Sequence, residues 1–330
     1  MKLSIIVPVY NLENYVSRTL DSLLTIRFSH DYEIIVVNDG STDRSEAVIA
    51  GYQEKTDKIH LYSIENRGQP GARNYGVSKA VGEYITYVDG DDTVDPDFFE
   101  KAVAELDSGG YDFVQGNFRL IYEDREEPRE FVKQDMVISD RKEMLRLYLK
   151  TDQLPICCCA CGKVYRGELA RRIPFDSTLA MAEDVRYIFD VLCAADKIKL
   201  LKDVSIHYLQ RSTSIVHTLN AKKIYSKLEV VKHFRDSNSY QELTPLIEYR
   251  YLLTLQELYY YLCKEKDPRA REVRRKMWEL PIRQLWPELD NTTRKRLLLH
   301  KFAGPLYDLY FRYRITKTRL KAFIDSRTIS

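Results

Sequence analysis

The sequence lacks the segments that mark membrane-spanning and exported proteins. In 330 residues there is no run of about 18 consecutive apolar residues, the length that an ordinary membrane-spanning helix needs. The opening residues MKLSIIVPVYN have one lysine and a short apolar run interrupted by Pro8, so they do not form the apolar segment of a signal peptide. We therefore expect a cytoplasmic protein whose first apolar run is a β-strand.

Glycine-rich phosphate loops are also missing. Neither G-x-G-x-x-G nor G-x-x-x-x-G-K-S/T follows any apolar run, which argues against a dinucleotide enzyme or a P-loop ATPase. The composition, with 44% hydrophobic and 30% charged residues, excludes disordered and fibrous classes. The length predicts one large domain with an appendage, or two domains.

Cysteine is scarce and clustered. Four of the six cysteines lie in the segment CCCAC, residues 157–161. Neighbouring cysteines do not easily bridge one another, and zinc sites usually need a second separate cysteine pair, which the chain does not have. We interpret the segment as buried thiols in a reducing compartment, with a metal cluster as the alternative.

Excess charge of one sign is confined to the C-terminal tail. The whole chain has a net charge of +2, but residues 291–330 contain ten Lys or Arg and only two Asp. Residues 302–324 repeat Leu and Tyr at helical spacing beside basic residues, a pattern typical of an interfacial helix. The tail is expected either to contact a membrane surface or to dock on its own domain. Nucleic acid is disfavoured as a partner because no nucleic-acid-binding fold accompanies the charge.

The first 120 residues alternate between apolar runs and segments with helical spacing. This alternation predicts an α/β fold, with a mainly parallel sheet and helices on both faces. Residues 122–140 are charged and irregular, and the pattern beyond Asn220 is helical. We therefore predict a catalytic domain over residues 1–220 and a helical region over 221–330. The strand-like runs are LSIIVPVY, YEIIVVNDG, IHLYSIE, EYITYVDGDD and YDFVQGNF.

Polar residues close four of these runs. Ligands of parallel sheets bind outside the carboxyl ends of the strands, so chemistry is expected there. The segment VDGDD places three carboxylates within four positions, and like charges this close need a cation between them. A hard cation, Mg²⁺ or Mn²⁺, would bridge aspartate oxygens to a substrate phosphate. The acids concerned are Asp89, Asp91 and Asp92.

Four motifs in order resemble the family 2 glycosyltransferases. They are VPVYN, VNDGSTD, ENRGQPGARNYG and VDGDD, and the resemblance covers roughly residues 2–214. It implies an inverting enzyme with the A-type nucleotide-sugar-binding fold. For donor binding it implies Pro8, Tyr10, Asp39, Arg73 and Asp89, with Tyr10 beside the base, Asp39 accepting the uracil N–H, and Asp89 on the ribose side.

The resemblance also implies the catalytic, metal and diphosphate sites. Asp184, in the acidic pair Glu183–Asp184 of MAEDVRYIF, matches the general base that deprotonates the acceptor hydroxyl. The two residues also suit a helix N-terminus with no further role. The resemblance implies that Asp91 and His207 bind the metal. It also implies that Arg211 and Ser214 bind the diphosphate. His217 competes with His207 for the ligand role.

The resemblance and the charge pattern together give one functional prediction. We expect metal-dependent transfer of a sugar from a nucleotide diphosphate donor to a glycan or lipid-linked acceptor of a bacterial surface polysaccharide. The resemblance favours a UDP-linked donor. The protein would work in the cytoplasm, at the inner face of the cell membrane if the tail binds lipid. A non-catalytic nucleotide-sugar-binding scaffold and a sugar nucleotidyltransferase are the alternatives. Whether two chains pair as a homodimer is left open.

Overall fold

A ten-stranded sheet dominates the part of the chain that the structure, a computed structural model, describes: residues 1–150, 155–210, 220–280 and Arg294. The strands are β1 (Leu3–Val9), β2 (Tyr32–Asp39), β3 (Ile59–Ile64), β4 (Tyr84–Tyr87), β5 (Thr93–Val94), β6 (Phe113–Ile121), β7 (Glu126–Arg129), β8 (Met136–Ile138), β9 (Lys163–Arg166) and β10 (Ile198–Leu209). They lie in the order β3-β2-β1-β4-β9-β6-β10-β5, with β7 beside β6 and β8 beside β10.

Ten α-helices accompany the sheet in the described residues, with a short 3₁₀-helix over Gln241–Leu243. The helices are α1 (Val16–Leu24), α2 (Ser45–Gln53), α3 (Gly68–Lys79), α4 (Phe98–Gly109), α5 (Arg141–Leu149), α6 (Gly167–Arg172), α7 (Glu183–Ala194), α8 (Ala221–Ser237), α9 (Thr244–Glu265) and α10 (Ala270–Glu279). None of the described helices is both long and apolar enough to cross a bilayer.

The first half of the sheet is parallel, and the second half is mixed. β1 pairs in parallel with β2 and β4, and β2 pairs in parallel with β3. β9 then runs antiparallel between β4 and β6, although β6 and β10 are parallel to each other. The α/β prediction is confirmed, and each of the five apolar runs forms a strand. Every residue of β1 and β2 is buried, which explains why these strands appear in the sequence as continuous apolar runs.

Close packing of α3 on β1 depends on Gly76. A Cβ atom at this position would lie 2.4 Å from Cγ2 of Ile6, well inside van der Waals contact. The glycine therefore lets the helix backbone approach the strand. This approach brings Arg73, one turn earlier in α3, into the interior beside the end of β4.

Two local features of the structure are not apparent from residue type. Helix α2 begins at Ser45, so neither Ser41 nor Thr42, which suit a helix start by residue type, caps it. The side chain of Asn38 instead accepts the N–H of Ser41 at 3.1 Å, which holds this residue in the turn after β2. Residues 122–140 contain β7 and β8, which the charged sequence conceals because both short strands are largely exposed.

The chain divides into two compact units, Met1–Thr218 and Leu219–Ser330. The first contains the whole sheet and helices α1 to α7. In the second, the described residues form two long helices, α8 and α9, followed by α10. The buried face of α9 is rich in leucine and tyrosine. Each unit thus has a hydrophobic core of its own.

Candidate active site

The carboxyl ends of three parallel strands gather the residues expected to bind a donor. Pro8 lies near the end of β1 and Tyr10 follows it, Asp39 ends β2, and VDGDD follows β4. Because β2, β1 and β4 are neighbours in the sheet, these residues share one edge. Tyr10 keeps 49% of its surface exposed, which is high for an aromatic residue. The edge therefore combines an exposed ring with several carboxylates.

Asn11 holds the turn that carries Tyr10. Its φ of 52° lies in the left-handed region, which asparagine tolerates better than most residues. Its Oδ1 accepts the N–H of Thr42 at 2.8 Å, and its own N–H donates to Oγ of Ser41 at 3.0 Å. Asn11 thus joins the turn after β1 to the turn after β2. Asn11 belongs to the VPVYN motif, but the motif alone does not reveal this supporting role.

Asp39 is almost completely buried and holds the start of α3. Its Oδ1 accepts the backbone N–H of Arg67 at 2.7 Å. Burial raises the pKa of Asp39, although the backbone N–H groups of Arg67 and Gly68 act in the opposite direction. The carboxylate therefore orders the strand-to-helix turn. Its predicted contact with a uracil base stays a prediction.

The VDGDD turn packs tightly against the end of β1. A Cβ atom on Gly90 would lie 2.9 Å from side-chain atoms of Leu12 and Val9 and 3.0 Å from the carbonyl oxygen of Pro8. Asp92 is fully buried, and its Oδ1 accepts the N–H of Leu209 at the end of β10, at 2.9 Å. The turn is consequently attached to both β1 and β10.

Arg73 connects the VDGDD turn to the acidic pair of α7. Its Nη2 donates to Oδ1 of Asp89 at 2.8 Å, and its Nη1 donates to Oδ1 of Asp184 and lies 3.9 Å from Oε1 of Glu183. Gln69 donates to the same oxygen of Asp89 at 2.8 Å. Asp89 and Asp184 are 95 positions apart in the chain, yet the structure joins them through a single guanidinium group.

The acidic pair lies at the N-terminus of α7, where the helix dipole favours negative charge. Ala182, immediately before the helix, has a φ of 67°, a left-handed conformation that costs a non-glycine residue roughly 1–2 kcal/mol. Oδ2 of Asp184 accepts the N–H of Ala160 at 3.2 Å. Both carboxylate oxygens of Asp184 are therefore held, one by Arg73 and the other by a backbone amide.

Burial and neighbouring charges together shift the pKa values of the three groups in this cluster. Burial raises the pKa of Asp184, while the Arg73 cation opposes the rise. Burial, followed by the charge of Asp184, raises the pKa of Glu183. For Arg73, burial lowers the pKa, but the surrounding carboxylates outweigh burial and raise it well above the ordinary value. A carboxylate with a raised pKa is a better proton acceptor than one in water.

Three side chains offer ligand atoms within 4.8 Å of one another: Asp89, Asp92 and Cys161. The two carboxylates fit Mg²⁺ or Mn²⁺, whereas a thiol suits softer ions. This set differs from the pair predicted from the sequence, because neither Asp91 nor His207 belongs to it. The carboxylates at this edge therefore fit a divalent cation, while the individual ligand assignments stay predictions.

His207 lies in β10 opposite Thr93 of β5. Burial lowers the pKa of His207, and the charged groups that act on its ring are Arg119, Asp95 and Glu126. These neighbours differ from the acids around Arg73. Arg211, Ser214 and the competing His217 lie outside the described residues.

The cysteine-rich segment forms a loop beside Asp184. Cys157, Cys158, Cys159 and Cys161 are all thiols, and Cys157 and Cys161 are buried. The fully buried Lys163 donates from Nζ to the carbonyl oxygens of Cys157 at 2.9 Å and Cys159 at 2.6 Å. The interpretation of core thiols agrees with this burial. The loop also supplies the Ala160 amide that contacts Asp184.

Comparison with known proteins decides the family. The family model described as glycosyl transferase family 2 matches residues 4–173, just over half of the chain. The chain belongs to glycosyltransferase family 2. The four motifs and the Arg73 cluster up to Ala160 lie within the matched residues, whereas Glu183 and Asp184 follow them.

Several bacterial glycosyltransferases are similar to this chain in sequence. Uncharacterized glycosyltransferase EpsJ of Bacillus subtilis is 31% identical over 217 residues, 64% of this chain and 62% of the relative. Glycosyltransferase GlyA of Streptococcus pneumoniae is 32% identical over 180 residues, 53% of this chain and 26% of the relative. Poly(ribitol-phosphate) beta-N-acetylglucosaminyltransferase TarS of Staphylococcus aureus is 30% identical over 213 residues, 63% of this chain and 35% of the relative. The chain thus matches less than two thirds of the length of each of these relatives.

Two solved glycosyltransferase structures share the fold. Staphylococcus aureus TarS 1–349 in complex with UDP-GlcNAc superimposes with a TM-score of 0.62 at 21% identity, covering 84% of this chain and 88% of TarS 1–349. Mannosyltransferase PcManGT from Pyrobaculum calidifontis, in complex with GDP-Man and Mn²⁺, gives a TM-score of 0.56 at 16% identity, covering 98% of this chain and 87% of that protein. At these identities the likeness establishes the A-type fold.

Proposed function

We propose that this protein is an inverting, metal-dependent glycosyltransferase that moves a sugar from a UDP-linked donor to a hydroxyl group of a glycan or lipid-linked acceptor. The observation that carries the proposal is the pairing of Asp89 and Asp184 through Arg73. It brings a carboxylate at the donor edge of the sheet next to a partly exposed carboxylate that can accept a proton. Sugar transfer needs both a group that binds the donor and a group that takes the proton of the acceptor hydroxyl.

The donor binds at the carboxyl ends of β1, β2 and β4 in this proposal. Pro8, Tyr10 and Asp39 contact the nucleoside, and Asp89 contacts the ribose side. Arg211 and Ser214 hold the diphosphate. UDP is favoured because TarS, which has the same fold, is solved with UDP-GlcNAc. The exposed ring of Tyr10 and the buried carboxylate of Asp39 supply a stacking surface and a hydrogen-bond acceptor.

Asp184 is the general base. Its carboxylate takes the proton of the acceptor hydroxyl while that oxygen attacks the anomeric carbon from the face opposite the nucleotide. The new carbon–oxygen bond forms as the bond to the diphosphate oxygen breaks, so the nucleoside diphosphate leaves with the bonding electron pair. One displacement at one carbon inverts its configuration. Glu183 stays beside the base and keeps the local charge negative.

The carboxylates of the VDGDD turn would hold the divalent cation, Mn²⁺ or Mg²⁺. Asp91 is the ligand that the resemblance favours, and Asp89 and Asp92 are the carboxylates that the structure brings together. When bound, the cation neutralises charge that develops on the departing diphosphate. The chain's own contribution is to fix the turn, through Gly90 against β1 and through Asp92 against Leu209.

The proposed acceptor is a bacterial surface polysaccharide or its lipid-linked precursor. Support comes from relatives named for poly(ribitol-phosphate) glucosyl or N-acetylglucosaminyl transfer and for minor teichoic acid biosynthesis. The basic tail over residues 302–330 supports peripheral contact with the inner face of the membrane, although it lies outside the described residues. A cytoplasmic nucleotide sugar and a membrane-bound acceptor would meet there.

A donor panel tests the function. The full chain is incubated with nucleotide sugars and Mn²⁺ or Mg²⁺, and the released nucleotide is identified by chromatography, with Asp184→Asn as the control. We expect release of a nucleoside diphosphate by the wild type alone. Pyrophosphate release would instead indicate a nucleotidyltransferase. Donor binding with no release, across all donors and acceptors, would indicate a scaffold.

A further inference from the structure

Arg73 is much less accessible than the acids that surround it. Its side chain keeps 1% of its surface exposed, whereas those of Asp89, Glu183 and Asp184 keep 20%, 16% and 22%. The carboxylates can therefore reach a bound molecule at the surface of the site. The guanidinium group lies beneath them, which conflicts with the direct donor contact that the resemblance implies for Arg73.

The guanidinium group is held on several sides. Its two terminal nitrogens bond Asp89 and Asp184, and its central carbon lies 5.2 Å from the centre of the Phe175 ring. The ring of Phe175 is itself stacked on Tyr187 of α7 at 3.9 Å between centroids. Because a guanidinium group is planar with donors in a fixed fork, its two carboxylate partners have a defined separation and orientation.

The orientation of Asp184 depends directly on this fork. Oδ1 accepts from Arg73, and Oδ2 accepts from the Ala160 amide. Rotation of the carboxylate would break one or both contacts. Asp89 is held in the same way by Arg73 and Gln69. The donor-side acid and the acceptor-side acid are consequently oriented by one buried residue.

We propose that Arg73 is a positioning residue, which fixes the carboxylate of Asp184 relative to Asp89 and makes no contact with the donor. The inference rests on the proposed function, in which Asp184 is the base. A base that is displaced by about 1 Å can lower a rate about 10²-fold without changing how the donor binds. Lysine offers a point charge in place of the fork, so it restores the charge but not the geometry.

Two variants and one control test the proposal. Arg73→Met removes the cation, and Arg73→Lys keeps the charge without the fork. Arg166→Lys is the matched control, because Arg166 is a half-buried arginine of the same sheet whose partners are the carbonyl oxygens of Tyr111 and Leu106. For each protein, the Kd of UDP with Mn²⁺ is measured by calorimetry and kcat by nucleoside diphosphate release, after the wild type has shown turnover.

The expected result separates binding from turnover. Because Gln69 still donates to Asp89, both Arg73 variants keep the UDP Kd within about twofold of the wild type. In contrast, kcat falls about 10²-fold in Arg73→Met and less in Arg73→Lys. Arg166→Lys keeps its kcat. If Arg73→Met does not fold, Arg73→Lys alone decides. A tenfold or larger rise in the UDP Kd with kcat preserved overturns the proposal in favour of a donor contact. A loss of kcat in Arg166→Lys equal to that in Arg73→Lys also overturns it, because the loss would then be a general structural effect. Absence of turnover in the wild type instead contradicts the proposed function.

Discussion

Among the described residues of the α/β unit, two cations are fully buried, and their partners differ. Arg73 is bonded to carboxylates from two distant parts of the chain, whereas Lys163 is bonded to the carbonyl oxygens of its own loop, at Cys157 and Cys159. Equal burial therefore does not mean an equal role. A cation among acids controls groups that can react, while a cation among carbonyl groups determines the shape of a loop.

The two environments meet at Asp184. Arg73 bonds one of its oxygens, and the loop that Lys163 holds supplies the Ala160 amide for the other. Lys163 thus supports the proposed base through this loop, and its charge also lowers the pKa of Asp184. Substitutions that act on the base, on the acidic turn and on each cation should separate these contributions.

The largest effect is expected for Asp184→Asn. The amide keeps the shape of the side chain but cannot take a proton, so kcat should fall about 10²- to 10⁴-fold with donor affinity nearly unchanged. Asp190→Asn, in the same helix, is the control and should retain activity. Turnover is followed by nucleoside diphosphate release and donor affinity by calorimetry. Loss of donor affinity in Asp184→Asn would mean that the base is misassigned.

The acids of the VDGDD turn should differ among themselves. Asp91→Asn is expected to raise the Mn²⁺ concentration for half-maximal rate at least about tenfold, because a hard cation prefers charged oxygen ligands. Asp92→Asn should chiefly lower thermal stability, since Asp92 is fully buried and accepts the Leu209 amide. Metal titrations of the rate and thermal melts measure the two effects. An unchanged metal dependence in Asp91→Asn would exclude Asp91 as a ligand.

The pH dependence of kcat should show which of the two buried cations, Arg73 or Lys163, lowers the pKa of Asp184 more. Asp184 acts only when ionised, so the rate should rise as the pH rises through its pKa, which burial raises and Arg73 and Lys163 lower. Removing either cation raises this pKa further, and the acid limb of the kcat profile should move to higher pH. We expect a larger shift for Arg73→Met than for Lys163→Met, because Arg73 bonds the Asp184 carboxylate directly. The charge of Asp89 also raises the pKa of Asp184, and the Ala160 amide lowers it. The charge of Asp184 in turn raises the pKa values of four neighbouring groups: Glu183, Tyr87, Tyr165 and Tyr187. A larger shift for Lys163→Met would reverse the comparison.

The smallest effect on turnover is expected for Lys163→Met. The substitution leaves two buried carbonyl oxygens without their donor, which should destabilise the α/β unit by about 1–3 kcal/mol. The melting temperature should therefore fall, while kcat changes less than in Arg73→Met. Thermal melts and donor turnover measured on the same samples give both quantities. A loss of kcat equal to that of Arg73→Met, with no loss of stability, would show that Lys163 too acts on the reaction.

Local patterns in the sequence predict the strands and the edge where polar residues collect. β1, β2 and β4 are buried on both faces, so their apolar runs are continuous, and their closing residues necessarily meet at one edge of a parallel sheet. β7 and β8 are missed because exposed strands at the side of a sheet need no apolar run.

Contacts between distant residues are not encoded in any local pattern. Crowding of acids in VDGDD indicates a counter-ion, and the sequence suggests only a metal. The structure adds Arg73, 16 positions from Asp89 and 111 positions from Asp184, as a cation of the protein itself. The packing of α3 on β1 helps to bring it there. The partner of Asp92 at Leu209 lies 117 positions away in the chain, and the partner of Asp184 at Ala160 lies 24 positions away.

The configuration of the product tests the central claim most directly, because attack from the face opposite the nucleotide follows from a single displacement with Asp184 as the base. Proton NMR is recorded during turnover of an α-linked donor such as UDP-GlcNAc, with the acceptor or with water, before any released sugar can mutarotate. The account predicts that the first product signal belongs to the β-anomer and that UDP accumulates with it. An α-configured first product would contradict it.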